Sequence, residues 1–140
     1  CIDQYGVFGT EGNWNHTPEN AIRKNEFKDD PEIPLSDRIN DLHFCEFFIG
    51  LSSGLAWLAW ALEKPVIIIA GGSALDQEFY TPYKITNTDV CHACFSDISC
   101  MPFDKADWLF CPHLKDTSRQ FECTTQITFE MVKEQIDRLL

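Results

Sequence analysis

Apolar and polar positions are unevenly spread along this chain. No residue from Phe47 to Leu62 is charged, whereas residues 8–34 are mostly polar and carry a mixed charge run from Arg23 to Glu32. The polar stretch reads as a solvated loop with one short helix around Glu19 to Lys24, and so long a loop is usually functional or mobile. Residues 1–7 read as the end of a strand. Leu35, Ile39 and Leu42 recur at helical spacing, with Ser36 as N-cap and Asp37 in the first turn, which predicts a helix over 37–44. Glu46 to Leu51 then reads as a buried strand. Ser52 and Ser53 cap a second helix over 54–63. Leu55, Leu58, Ala59 and Leu62 share one side of it, and Trp57, Trp60 and Ala61 make the other apolar too, so burial nearly all round is expected. Lys64-Pro65 ends it. The β-branched run Val66 to Ala70 suits a central parallel strand, closed by Gly71-Gly72-Ser73. Strand, helix and strand with short connections make a right-handed βαβ unit. Thr128 caps a last helix from Phe129 to Leu140, with Val132, Ile136 and Leu139 as its apolar stripe.

The uncharged run is shorter than the about 20 residues a membrane-crossing helix needs, and Gly50, Ser52, Ser53 and Gly54 interrupt it, so no membrane span is expected. With 140 residues, the chain is long enough for one domain with a real core. Its net charge of −11 argues against a nucleic-acid partner, whose phosphates need Lys and Arg, and against an anionic membrane surface. A small anionic ligand held by backbone N–H groups remains compatible with that balance.

Cysteine spacing changes the picture further. Cys91-His92-Ala93-Cys94 is a C-x-x-C, sixteen residues separate Cys94 from Cys111, and eleven separate Cys111 from Cys123. A C-x-x-C turn supplies two thiolates from one knuckle, and two later cysteines can complete a tetrahedral shell. Such a site replaces a hydrophobic core in a segment broken by Pro102 and Pro112 and dotted with Asp97, Asp104, Asp107 and Asp116. Cys100 is the alternative third ligand. Four thiolates suit iron and zinc alike. Seven cysteines is an odd number, which fits a metal site plus buried thiols (Cys1, Cys45, Cys100) in a reducing cytoplasm better than a disulfide framework. A redox role fits poorly, because thioredoxin-like motifs open a helix directly after a strand and Cys91 follows the polar run Thr86 to Asp89.

The strongest ligand geometry is the strand-to-helix turn Gly50-Leu51-Ser52-Ser53-Gly54. Ligands of open α/β sheets bind beyond the carboxyl ends of the strands, and the first N–H groups of a helix lack partners that a phosphate can supply. The two hydroxyls read as added donors and Gly54 as room for close approach. In most proteins Ser-Ser-Gly before a helix is only an N-cap. The second glycine-rich strand end at Gly71-Gly72-Ser73 makes a shared crevice. No catalytic dyad is visible: His16, His43, His92 and His113 are scattered, His92 and His113 read as exposed or supporting groups beside the cysteines, and Asp3 reads as a structural cap, with a ligand contact or a base as the alternative.

The stretch Phe47 to Trp60 with its Ser52-Ser53-Gly54 turn resembles bacterial autotransporter heptosyltransferases. So do Glu78-Phe79-Tyr80-Thr81-Pro82-Tyr83, the Cys-His-Ala-Cys knuckle, Phe110-Cys111-Pro112-His113 and Arg119 to Thr124, all in family order. The resemblance implies an α/β fold, the Rossmann-like C-terminal lobe of a GT-B type glycosyltransferase with an inserted four-cysteine metal finger. It divides the chain into a partial nucleotide-sugar-binding lobe (1–90), the finger (91–124) and a C-terminal helix packing back on the lobe (125–140). It implies transfer of heptose from ADP-heptose to serine hydroxyls of autotransporter adhesins in the bacterial cytoplasm, by a homo-oligomer. The donor would be bound through Ser52, Ser53, Gly54, Leu55 and Gly71. Iron, with zinc as the alternative, would be held by Cys91, Cys94, Cys111 and Cys123, the pattern Cys111-Pro112 favouring Cys111 over Cys100. The catalytic base is expected on an N-terminal lobe outside this chain, whose opening at Cys1 reads as the inside of a strand, so the fragment alone is expected to be inactive. Lipopolysaccharide-core heptosyltransferases carry Asp-Thr-Gly-Leu at the turn. Ser52 stands in place of that Asp, which leaves no carboxylate for the sugar at the turn itself. The other reading is a metal-stabilised interaction module whose turn binds nothing.

Overall fold

The computed structural model describes residues 34–97, 99 and 111–140. The expectations for the strand end before Asp3, the 8–34 loop, Asp3 itself and Cys100 lie outside these residues. The chain falls into two compact units, Cys1–Phe44 and Cys45–Leu140.

In the first unit the described element is α1 (Leu35–Phe44). It starts two residues earlier than its pattern predicts. Asp37 and Arg38 both donate their amides to the Pro34 carbonyl, so Pro34, not Ser36, stands at the helix entrance. Proline tolerates that position because its missing N–H would be unpaired there anyway. Leu42 and Arg38 are buried, while Leu35 is exposed.

The second unit is built on a parallel sheet of three strands, β1 (Phe48–Leu51), β2 (Val66–Ile69) and β3 (Tyr83–Ile85), in the order β1-β2-β3. Phe48 pairs with Val66 and Leu51 with Ile69, while Ile67 pairs with Tyr83 and Ile69 with Ile85. Parallel neighbours cannot be joined by a tight hairpin, and α2 (Gly54–Ala61) is the crossover between β1 and β2. Val66, Ile67 and Ile68 of the central strand are buried and form the core with Ala56, Ala59, Ala70, Phe79 and Ile85. The Thr81 hydroxyl donates to the Val66 carbonyl at 2.7 Å, which satisfies a buried backbone oxygen at the strand's start.

Helix α2 closes with a Schellman motif. Glu63 takes φ 58°, its amide donates to Trp60, and Lys64 donates to Ala59. The expectation that α2 is buried nearly all round is wrong. Its buried residues are Ala56 and Ala59, whereas Leu55, Leu58 and Leu62 are half-buried and Trp57 and Trp60 are 44% and 46% exposed. Small residues let the helix lie close on the sheet, and the indoles lean sideways onto Phe79. Trp60 stacks on that ring at 5.4 Å between centroids and Trp57 meets it edge-on at 5.1 Å. Strand β1 is likewise less buried than expected, with Leu51 59% exposed, because among the described residues it lies at the edge of the sheet.

The short helix α3 (Glu122–Thr125) leads into α4 (Phe129–Leu139). Thr128 caps α4, its hydroxyl accepting from the Met131 amide. Helix α4 packs against β3, where the Arg138 guanidinium lies 5.9 Å over the Tyr83 ring. Among the described residues no helix is long and apolar enough to cross a membrane.

Candidate functional site

Two cavities meet at the carboxyl end of the sheet. The larger, about 400 Å³, is lined by Leu51 and Ser52 after β1, Ile69, Gly71, Gly72 and Ser73 after β2, and by Phe95 and Thr124. In a parallel sheet all carboxyl ends point the same way, so the loops after adjacent strands enclose one crevice. Ser52 and Gly71 of the proposed donor set line it. Ser53 and Gly54 follow Ser52 directly, and Leu55 is half-buried in the first turn of α2.

Ser53 stands at the N-cap of α2 with extended backbone (φ −160°, ψ 168°), but its hydroxyl makes no capping bond. Its carbonyl accepts from Trp57 at 3.2 Å. The first amides of α2 are therefore not capped by a side chain, which leaves them for an anion. A Cβ built on Gly54 meets no atom within 4 Å. Position 54 thus opens onto free space, where a ligand can approach the backbone.

Ser52 behaves differently from its expected role as a donor to ligand. Its hydroxyl donates instead to Oε1 of Glu78, as does the Ser73 hydroxyl at 2.9 Å. One carboxylate oxygen joins the loop after β1 to the loop after β2. Glu78 lies 26 positions beyond Ser52, and no local signal in the sequence singles it out.

Gly71 has a packing duty as well. A Cβ there would lie 2.3 Å from the Cys123 carbonyl oxygen. The cysteine segment docks on this strand end. Ala93 donates to the Gly71 carbonyl and Phe95 to Gly72, both at 2.9 Å, and the Ala74 amide donates to the Ser96 hydroxyl at 2.7 Å.

The smaller cavity, about 90 Å³, is lined by Cys91, Cys94, Cys111 and Cys123 together with Gly72, Phe95, Leu114, Phe121, Glu122 and Thr124. None of the four is in a disulfide. Cys91 Sγ and Cys94 Sγ lie 3.8 Å apart. Thiolates in a tetrahedral shell with metal–sulfur bonds of about 2.3 Å are separated by about 3.8 Å, so the knuckle stands at ligand spacing. Among the described residues no three His, Cys, Asp or Glu groups converge on one point. The four thiols thus share a cavity without forming a closed ligand set. Ala93 reaches the knuckle turn in the left-handed region (φ 63°), as does Phe121 (φ 59°) just before Cys123. His92 and His113 are exposed, and the His92 Nδ1 engages the Val90 carbonyl at 2.7 Å.

Glu122 clamps the two halves of this segment. Its Oε1 accepts from the Cys91 amide at 2.9 Å, and its carboxylate takes both arms of Arg119, Nε at 2.8 Å and Nη2 at 2.7 Å. The Arg119 guanidinium, helped by the Cys91 amide, holds the Glu122 carboxyl below the usual carboxylate range. Its folded pKa lies under the unfolded value of about 4.3, so the clamp's stabilisation is complete above that pH and fades as pH falls through the folded value. The i, i+3 spacing of Arg119 and Glu122 is the sequence signal that could have revealed the pair.

No family model matches the chain. Curated relatives do. It is 46% identical over 139 residues to the autotransporter heptosyltransferase BAHTCr of Citrobacter rodentium, covering 99% of this chain and 32% of the relative. It is 45% identical over 139 residues to the autotransporter heptosyltransferase TibC of Escherichia coli, covering 99% and 33%. A third relative, BimC of Burkholderia thailandensis, is described as an inactive autotransporter heptosyltransferase and is 39% identical over 106 residues, covering 76% and 25%. Two crystal structures of TibC, described as a dodecameric, iron-containing glycosyltransferase, share the fold. One superposes at TM-score 0.83 with 44% identity, covering 99% of this chain and 35% of TibC. The other, in complex with ADP-D-beta-D-heptose, superposes at 0.76 with 45% identity, covering 83% and 30%. The chain spans about a third of the length of the curated relatives it matches, and over nearly all of its own length its homologues are autotransporter heptosyltransferases.

Proposed function

We propose that this chain is the donor-binding lobe of a GT-B type protein O-heptosyltransferase that takes heptose from ADP-heptose to serine hydroxyls of autotransporter adhesins. The observation that carries the reading is the crevice at the strand ends. Ser52 and Ser73 line it, both bonded to Glu78, and Ser52 leads directly into the uncapped α2 amides and the open space over Gly54, in a chain homologous to a protein crystallised with that donor. The pyrophosphate sits at the α2 N-terminus, against the amides of Gly54 and Leu55 and the Ser53 hydroxyl. Fixed N–H dipoles suffice there, so the net charge of −11 is no obstacle. The base that deprotonates the acceptor lies on the stretch of the full-length protein that this chain does not match, and the reaction runs in the cytoplasm on a homo-oligomer.

The cavity lined by these four cysteines, none in a disulfide, suits a single structural metal, read as iron from the description of TibC. Cys91, Cys94, Cys111 and Cys123 would hold it, and four thiolates leave no open position for substrate. A metal held there would tie the knuckle to α3 and would supply structure and no chemistry to transfer.

Calorimetric titration of the full-length protein with ADP and ADP-heptose tests the donor site. Both are expected to bind, and Gly54→Val is expected to weaken both by crowding the pyrophosphate. Absence of heat with either ligand would instead favour a metal-stabilised interaction module, a reading the inactive relative BimC keeps in play.

A further inference from the structure

We infer that Glu78 is the residue that reads the sugar of the donor, by accepting hydroxyl hydrogens through a carboxylate supplied from outside the Ser52-Ser53-Gly54 turn. The inference rests on the donor-binding reading above and adds to it a specificity-determining residue.

The argument begins with protons. A serine hydroxyl has one hydrogen to donate and two lone pairs to accept with. Ser52 and Ser73 both spend theirs on Glu78 Oε1. Neither can donate to a phosphate oxygen while that arrangement holds. What they present to the crevice are lone pairs. Among the described residues Oε2 of Glu78 has no protein partner. This wall of the crevice is therefore made of acceptors, and a phosphate, which offers only acceptors, is repelled by it. A polyol is the complementary ligand, since each of its hydroxyls carries a hydrogen that a carboxylate binds well.

Donors stand next to it, at the start of α2 just after Ser52. The uncapped amides at the start of α2 offer N–H groups over the open space at Gly54. A molecule that joins a pyrophosphate to a sugar matches both groups in one orientation, phosphate toward α2 and sugar toward Glu78. The turn's lack of an acid at position 52 is then made good from the segment between β2 and β3.

The carboxylate is also held in place. Lys84 of β3 donates its ammonium to the carbonyls of Leu75 and Glu78, which pins the backbone on either side of the bend. The next residue, Phe79, is buried between Trp57 and Trp60. A carboxylate fixed by its backbone, by its neighbour and by two serines does not need to be ordered when ligand arrives.

The test compares two ligands on the full-length protein, ADP without a sugar and ADP-heptose with one. Glu78→Ala is expected to weaken ADP-heptose by roughly tenfold or more, the worth of a charged hydrogen bond, while ADP affinity stays within about twofold. Glu78→Gln keeps the side chain's size and is the variant to read if Glu78→Ala fails to fold. It is expected to lose ADP-heptose affinity selectively as well, by a smaller factor. Equal losses for both ligands would mean that Glu78 only braces the two serines and would overturn the inference, as would unchanged affinity for both. A wild-type protein that binds neither ligand overturns the donor-binding reading itself, a result distinct from either of these.

Discussion

The sheet and the cysteine segment of this protein are held by opposite means. In β2, Val66, Ile67 and Ile68 are buried in succession, and removal of apolar surface from water is enough to specify the strand. In residues 91–97 and 111–125 only Cys111 and Glu122 are buried. That segment relies on the Arg119–Glu122–Cys91 clamp and on backbone bonds to Gly71 and Gly72. A core tolerates change in proportion to the area lost. A segment without a core depends on a few groups at single positions.

The sharpest break should come at the thiols. Cys111→Ser is expected to abolish metal content by elemental analysis and to raise protease sensitivity across 91–125 while the sheet persists. Cys100→Ser should keep its metal. The reverse pattern would exchange the two as ligands. In the sheet, Ile68→Ala should cost about 2–5 kcal/mol in denaturant unfolding, as for other buried aliphatic truncations, and should do so with metal still bound. Gly71→Ala bridges the two regions. Its new Cβ meets the Cys123 backbone, which cannot rotate away as a side chain would, so about 1–3 kcal/mol of overpacking is expected. Metal binding should weaken in the same variant, because Cys123 is displaced. Undiminished metal affinity would show that the docking on β2 is not coupled to the thiols. The smallest effect is expected at Ala93→Gly. Relief of a left-handed alanine, worth about 1–2 kcal/mol, is offset by the added freedom of glycine in the unfolded chain, about 0.5–1 kcal/mol. A small rise in thermal midpoint confined to the metal-dependent transition would place the strain in the knuckle.

Local features were legible in the sequence wherever the physics is local. The run Val66 to Ile69 and the stripe of α4 announce themselves through periodicity, and Thr128 through its capping hydroxyl. The knuckle is legible because Cys91 and Cys94 are three residues apart, and no distant contact is needed to bring them together. Strand β3 is not legible. Tyr83-Lys84-Ile85 is too short for a pattern, and its extended form comes from pairing with β2. The exposure of Trp57 and Trp60 is not legible either, since a helix apolar on every side does not say which side will meet a sheet.

The sequence by itself determined the α/β order, the turn at Ser52-Ser53-Gly54, the knuckle and the kinship with autotransporter heptosyltransferases. Only the tertiary structure decided what those groups face. It brought Glu78 to Ser52 and Ser73 and so made acceptors of two hydroxyls that the turn alone suggests as donors. It set Gly71 against Cys123 and gathered Cys111 and Cys123 onto the knuckle's cavity. The physical reason is range. Propensity, capping and periodicity act over a turn or a strand, whereas the direction in which a hydroxyl spends its one hydrogen depends on the group that folding places beside it.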